Sequence, residues 1–318
     1  MASFDDFLET LSLDKQVRGK QFECVCKWLL ETDPTYTNKL KNVWLWDDWP
    51  GNWGRDLGID LIAEDEDGRI WAVQAKCYDA KHSISKSDVD SFISESSNPK
   101  ISRRLLIATT DNIGPNALSV IGRANESIPV NQLLLTELQE KPLVWPESLD
   151  DLSTGGAQEP FNPKPHQQAA IDNVVAKFGK FERGQLIMAC GTGKTLTGLW
   201  IDEQLQTDTT LVLFPSLLLL SKTVSEWLTH SKSQFKYLPV CSDDSVAKSS
   251  DDLIRVKTSD LSFPSTTDVE EIAEFLKQSG KKVVFSTYQS SPQIAEAFKV
   301  AKLQPFDLII CDEAHRCA

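Results

Sequence analysis

No stretch of this sequence is apolar for long enough to cross a bilayer as a helix, which takes about 20 consecutive residues, so a membrane role is not expected. The opening residues, Met1 to Asp6, lack the basic stretch and apolar run of a secretory signal, and the cytoplasm is the expected location. Cysteine is sparse and unpatterned. The seven cysteines, at 24, 26, 77, 190, 241, 311 and 317, are odd in number and include no CxxC pair, which excludes both a disulfide framework and a zinc site. Cys24 and Cys26, two apart on a predicted helix, point to different faces and chelate poorly together. Internal repeats and low-complexity tracts are absent. Positive charge is also in deficit: 33 Lys and Arg against 46 Asp and Glu leave a net charge of −13. That counts against a broad basic footprint for nucleic acid, and leaves room for a local basic surface or an acidic site whose charge a metal offsets.

What is present is an ordinary globular composition, 41% apolar and 25% charged over 318 residues, enough for two domains. Residues 14–31 have helical spacing, with Phe22, Val25, Cys26 and Leu29 on one face, and lead into a segment holding Trp44, Trp46, Trp49 and Trp53. Two strand-like runs follow, Leu57 to Glu64 and Arg69 to Lys76, around the acidic turn Asp65-Glu66-Asp67-Gly68. A polar helix from near Ser87, a strand Leu105 to Thr109, a helix after Pro115 and a run Leu133 to Leu135 complete a compact α/β domain at 1–140. Periodicity fades at 141–160 into Pro, Ser, Asp and Gly, the composition of a linker. Over 161–318, strand-like runs at Leu186 to Ala189, Leu211 to Phe214, Val283 to Ser286 and Leu308 to Cys311 alternate with helical stretches, as a parallel sheet with crossover helices requires. Thr267 with Glu270 reads as a capping box, and Ser291-Pro292 as a helix start.

Chemistry concentrates in two places. In the second domain Ala189-Cys190-Gly191-Thr192-Gly193-Lys194-Thr195 follows an apolar run and opens a helix, so backbone N–H groups converge on an anion. Gly191 and Gly193 permit close approach around Thr192, Lys194 reaches the β and γ phosphates, and the Thr195 hydroxyl binds Mg²⁺. At the end of the strand Asp307 to Cys311 stand Asp312, Glu313, Ala314 and His315. Asp312 is placed to hold Mg²⁺ and Glu313 to polarise the attacking water. Together these resemble motifs I and II of superfamily 2 helicases and translocases, in the DEAH-box variant, from about Pro163 onward. Within that resemblance Gln167, in Lys164-Pro165-His166-Gln167, takes the adenine-contacting place. Phe214 to Thr223 resembles motif Ia, and Ser286 to Ser290 a strand-tracking segment. The resemblance implies ATP as a cofactor. It also implies a second RecA-like lobe, which these 318 residues do not supply, so the chain alone is expected to bind ATP weakly and not to translocate.

In the first domain Asp60 lies in one predicted strand, and Gln74 and Lys76, two apart on the next, share a face. Phosphodiester hydrolysis needs an anionic cage for a hard cation, an oxygen ligand beside it, and a cation near the attacking water; these three residues supply those types in turn. Glu23 borders the apolar face of the first helix and leans back over Gly19, where a missing Cβ leaves room for a ligand. The pattern Gly19, Phe22-Glu23, Gly58-Ile59-Asp60 and Gln74-Ala75-Lys76 resembles the Mrr-like branch of the PD-(D/E)xK nucleases over residues 14–136. That resemblance implies Mg²⁺ on Asp60 and Gln74, a further ligand in Glu23, and Lys76 assisting the water. Gln74 stands where an acid is commoner, which removes one negative charge from the cage.

Among smaller features, the tryptophans at 44–53 serve either as packing or as base-stacking surfaces, with packing the stronger expectation. Lys81, Lys86, Lys100, Arg103 and Arg104 are candidate phosphate contacts, with a solvated surface the equal alternative. His82, His166 and His230 have no evident partners. A nuclease followed by a motor lobe resembles the N-terminal part of type ISP restriction-modification enzymes, which continue into a methyltransferase and a target-recognition domain. The expectation is therefore a restriction-endonuclease-like mixed-sheet domain followed by a RecA-like parallel α/β phosphate-loop domain. Its substrate would be double-stranded DNA. The alternatives are a DNA-binding, ATP-sensing module with a degenerate nuclease pocket, and a plain helicase with an accessory domain.

Overall fold

Residues 3–54, 58–242 and 257–314 are described in a computed structural model. They form two units: Met1–Gln158 with Ser259–Pro264, and Glu159–Thr258 with Ser265–Ala318.

In the first unit helices α1 (Phe4–Glu9), α2 (Lys15–Thr32) and α3 (Pro34–Thr37) precede strands β1 (Leu40–Leu45), β2 (Leu61–Asp65) and β3 (Ile70–Lys76). Then come α4 (Lys86–Glu95), β4 (Ile101–Ala108), α5 (Pro115–Ala124), β5 (Val130–Leu133) and α6 (Leu135–Glu140). The sheet runs β1-β2-β3-β4-β5, antiparallel over its first two pairings and parallel over the last two. The β2–β3 hairpin turns where the sequence predicts. Asp65 Oδ1 accepts from the amides of Asp67 and Arg69, and Gly68 supplies the left-handed φ of +76°. Alternation along β3 divides the core. Trp71 and Val73 join α2 on one face, while Ala72 joins residues of α4 and α5 on the other. Trp46 and Trp49 are buried in the second of these clusters, against Trp53, so their principal role is packing.

Two expectations change here. Arg104 is not a surface cation: it is 2% exposed, and its guanidinium donates to Ser96 Oγ at 2.7 Å and to the Ile128 carbonyl at 2.8 Å. It closes the C-terminal end of α4, a role that its position on an inward-facing register of β4 dictates. The stretch 141–157 is folded rather than extended. Strands β6 (Leu143–Val144) and β7 (Gly156–Ala157) pair antiparallel, and Trp145 packs on Phe4, Phe7 and Trp28.

The second unit holds α7 (Pro165–Phe178), α8 (Lys194–Leu205), β8 (Thr209–Phe214), α9 (Leu217–His230), β9 (Lys236–Val240), α10 (Val269–Lys277), β10 (Lys282–Thr287), α11 (Ser291–Ala301) and β11 (Leu308–Cys311). Its sheet is wholly parallel in the order β11-β8-β10-β9. Buried Asp202 on α8 accepts from the hydroxyls of Thr207 and Thr210 and pairs with Lys281, fixing the helix to the starts of β8 and β10. The run Leu186 to Ala189 is not a strand: it pairs with no strand among the described residues, and Leu186 and Ile187 are 42% and 89% exposed. Apolar composition signals readiness for burial, but a strand exists only through its ladder. The start of α10 also shifts by one residue, since Asp268, not Thr267, is the N-cap and accepts from the Glu271 amide. No described helix is long and apolar enough to cross a membrane.

Candidate active sites at a strand edge and a phosphate loop

The first site lies where β2 begins beside the end of β3. Asp60 immediately precedes β2; its amide donates to the Val73 carbonyl and its Oδ2 accepts from the Ala75 amide at 2.7 Å. The carboxylate is thereby fixed against the segment that carries Gln74 and Lys76, which follow Ala72 on one face of β3. Gln74 is 1% exposed. Its Nε2 donates to the Gly58 carbonyl at 2.9 Å, whereas its Oε1 is buried with no hydrogen-bond partner. Gly58 must be glycine: its φ is +138°, and a Cβ would stand 3.0 Å from the backbone of Ser91 and Phe92 on α4. Leu57 lies outside the described residues.

Glu23 sits on α2, the helix whose buried residues pack with Trp71 and Val73, and pairs with Lys20 at 2.9 Å. Burial raises the thiol pKa of Cys26, one turn further on, well above the ordinary value, and the charges of Asp60 and Glu23 both add to that rise. Gly19 has a different role from the expected one, because a Cβ there would meet nothing within 4 Å; the missing side chain is not what makes space. Among the described residues no three His, Cys, Asp or Glu side chains cluster in a metal-holding group. The Gln74 amide oxygen is an uncharged oxygen available to a cation at this strand edge. That oxygen fits the requirement, since a buried acceptor without a donor costs free energy unless a cation or donor meets it.

Two of the other candidate cations have partners within the unit. Lys86 pairs with Asp90, and Lys100 lies 5.7 Å above the Trp53 ring. His82 has a partner after all, packing its ring 4.2 Å from Tyr78, whose hydroxyl donates to Asp88.

The second site forms at the start of α8. Gly191 and Gly193 adopt left-handed φ values of +74° and +81°, turning the loop so that the helix begins at Lys194. Gln167 bridges to this loop, accepting from the Lys164 amide and donating to the Thr192 carbonyl at 3.0 Å. A Cβ on Gly193 would come within 2.4 Å of its Nε2. His166 also reaches the Thr192 carbonyl at 3.4 Å, and His230 stacks on Phe161, so neither is without contacts. Thr195 follows Lys194 in the first turn of α8, and its carbonyl accepts from Trp227 Nε1.

The acidic pair stands beyond β11. The Asp312 amide donates to the Leu213 carbonyl, and its own carbonyl accepts from the Tyr288 hydroxyl. Burial raises the Asp312 carboxyl pKa, and adjacent Glu313 adds to the rise. Lys194 Nζ lies 3.3 Å from Glu313 Oε1, and that hydrogen bond with its charge attraction holds the Lys194 pKa up. The lysine of the glycine loop and the acid after β11 thus meet in the folded chain. His315 lies outside the described residues.

A mixed sheet with a carboxylate, an amide and a lysine near its strand edge, and a parallel sheet with a glycine loop beside an acidic pair, fit a protein with a nuclease-like and a helicase-like domain. The chain belongs to the family described as type III restriction enzyme, res subunit, which matches residues 160–318. The family described as restriction endonuclease matches residues 31–153, a span that includes Asp60, Gln74 and Lys76 but not Glu23. Over 99% of its length the chain superposes, at TM-score 0.82 and 32% identity, on the ATP-dependent type ISP restriction-modification enzyme LlaBIII bound to DNA, covering 20% of that chain. A nuclease-deletion mutant of the type ISP enzyme LlaGI, in complex with a DNA substrate mimic, matches 49% of this chain and 15% of its own at 38% identity and TM-score 0.40. The probable helicase A859L of African swine fever virus (isolate Tick/Malawi/Lil 20-1/1983) is 26% identical over 198 residues, 60% of this chain and 21% of that protein. The chain therefore spans about a fifth of the length of LlaBIII and of this helicase.

Proposed function

We propose that this chain is the nuclease and first motor lobe of an ATP-dependent restriction-modification enzyme, cutting double-stranded DNA with Mg²⁺ in a reaction that ATP-driven translocation serves. Nuclease function is assigned to residues 1–140 and the motor lobe to 161–318, with 141–160 joining them. The similarity to the type ISP enzyme supports further partners in the same protein: a second RecA-like lobe, a methyltransferase and a target-recognition domain. Restriction of DNA places the work in the cytoplasm.

The observation that carries the nuclease reading is the unpartnered, buried Oε1 of Gln74 beside a carboxylate fixed by the Ala75 amide. Asp60 and Gln74 would hold Mg²⁺, with Glu23 as a further ligand from α2. The metal, when bound, supplies Lewis-acid stabilisation of the charge that develops on the phosphate. Lys76, on the face of Gln74, orients the attacking water. In the second unit the loop from Gly191 to Thr195 binds the ATP phosphates, with Thr195 and Asp312 as Mg²⁺ ligands, Glu313 positioning water and Gln167 at the adenine. The triphosphate would draw Lys194 away from Glu313, freeing that acid for its role.

Because Gln74 is uncharged, a second reading is that the pocket binds DNA without cutting it. Incubating supercoiled plasmid with the chain separates the two. Nicking or linearisation in Mg²⁺ that EDTA abolishes is the expected result; intact plasmid, with the fold verified by circular dichroism, favours the non-catalytic module.

A further inference from the structure

The first unit contains six residues that do not belong to it by sequence. The chain leaves the second unit after Thr258 and rejoins it at Ser265; next to that, the Thr266 amide donates to the Pro239 carbonyl and Thr266 bridges Val240 in parallel. In between, Leu261, Ser262 and Phe263 are each no more than 2% exposed, and Ser259–Pro264 fold as part of the first unit.

These residues occupy a polar seat along the free edge of β5. Asn131 Nδ2 donates to two of their carbonyls, Leu261 at 2.9 Å and Phe263 at 3.0 Å, and the Gln132 amide donates to Leu261 at 3.3 Å. The Tyr36 hydroxyl donates to the Ser262 carbonyl at 2.9 Å, while the Ser262 hydroxyl donates to Glu137. Beneath lies a buried ionic group in which Lys141 pairs with Asp33 at 2.9 Å and Glu137 at 3.4 Å. Every backbone carbonyl from 261 to 263 is thus met by a donor of the first unit, and Leu261 and Phe263 bury large apolar side chains. Incidental contact would leave such groups wet or unmatched.

We propose that residues 259–264 are a latch: a segment of the motor's own chain, held in a dedicated seat on the nuclease, that binds the two units together independently of the connection at 158–159. The chain then crosses between the units three times rather than once, and the nuclease stays fastened when the first connection is slack. The seat also covers the β5 edge, which would otherwise offer unpaired groups to another strand.

The test does not depend on whether the chain cuts DNA. A site-specific protease sequence is inserted between Glu159 and Pro160, and the full-length folded chain is then cleaved there. The two fragments should migrate as one species on size exclusion at micromolar concentration. Combined Leu261→Asp and Phe263→Asp should weaken their association by about a hundredfold or more, and Asn131→Ala, on the receiving side, by about tenfold. Excess synthetic peptide spanning 257–266 should displace the motor fragment from unmodified protein, a result that misfolding of a variant cannot produce. Fragments that separate without any substitution, or that remain together in the double variant and resist the peptide, would overturn the latch.

Discussion

Asp60→Ala is expected to lower plasmid cleavage by about a thousandfold or more while leaving the chain folded, because the change removes a proposed metal ligand and no part of the core. The Ala75 amide that Asp60 accepts from is in a half-buried region where water can replace the carboxylate, so thermal unfolding should move little. Lys76→Ala should produce a loss of similar size through the water rather than the metal, and raising Mg²⁺ should rescue neither. Cleavage by Asp60→Ala within tenfold of the unmodified chain would remove this pocket from the reaction.

The second large effect is in nucleotide binding. Lys194→Ala should reduce affinity for a non-hydrolysable ATP analogue by about a hundredfold, measured by calorimetric titration. The loss should be one of binding and not of fold, since Lys194 makes its charged contact at a partly exposed site with Glu313. Glu313→Gln provides the contrast: it removes the acid that competes for Lys194, so binding should be retained or strengthened while hydrolysis falls. Equal affinity in Lys194→Ala would mean that the loop does not hold the phosphates.

Much of this was legible in the sequence for definite physical reasons. The tight loop before α8 reads clearly because left-handed backbone at Gly191 and Gly193 demands glycine, and the hairpin at Asp65–Gly68 because its turn chemistry is local. Residues two apart on a strand share a face, which placed Gln74 beside Lys76. What was not legible depends on partners distant in sequence. Arg104 resembles its basic neighbour Arg103 until β4 turns it inward under α4. Leu186 to Ala189 has the composition of a strand without a ladder. The expectation of a linker at 141–160 failed to anticipate Trp145, whose burial depends on Phe4 and Trp28 more than a hundred residues earlier. The latch left no local signature: Leu261-Ser262-Phe263-Pro264 reads as an ordinary loop, and its significance lies in Asn131 and Tyr36. The surroundings of Glu23 were only partly legible, since helical spacing places it at the border of an apolar face but gives no view of its pairing with Lys20.

The claim on which the rest depends is that the Gln74 amide oxygen and the Asp60 carboxylate hold a divalent cation. Titration of the nucleotide-free chain with Mn²⁺, followed by electron paramagnetic resonance and repeated in Lys194→Ala and Asp60→Ala, measures this directly. One bound Mn²⁺ per chain in the unmodified protein and in Lys194→Ala, and none in Asp60→Ala, is the predicted result; binding that survives Asp60→Ala but disappears with Lys194→Ala would place the cation at the phosphate loop and contradict a metal centre in the nuclease unit.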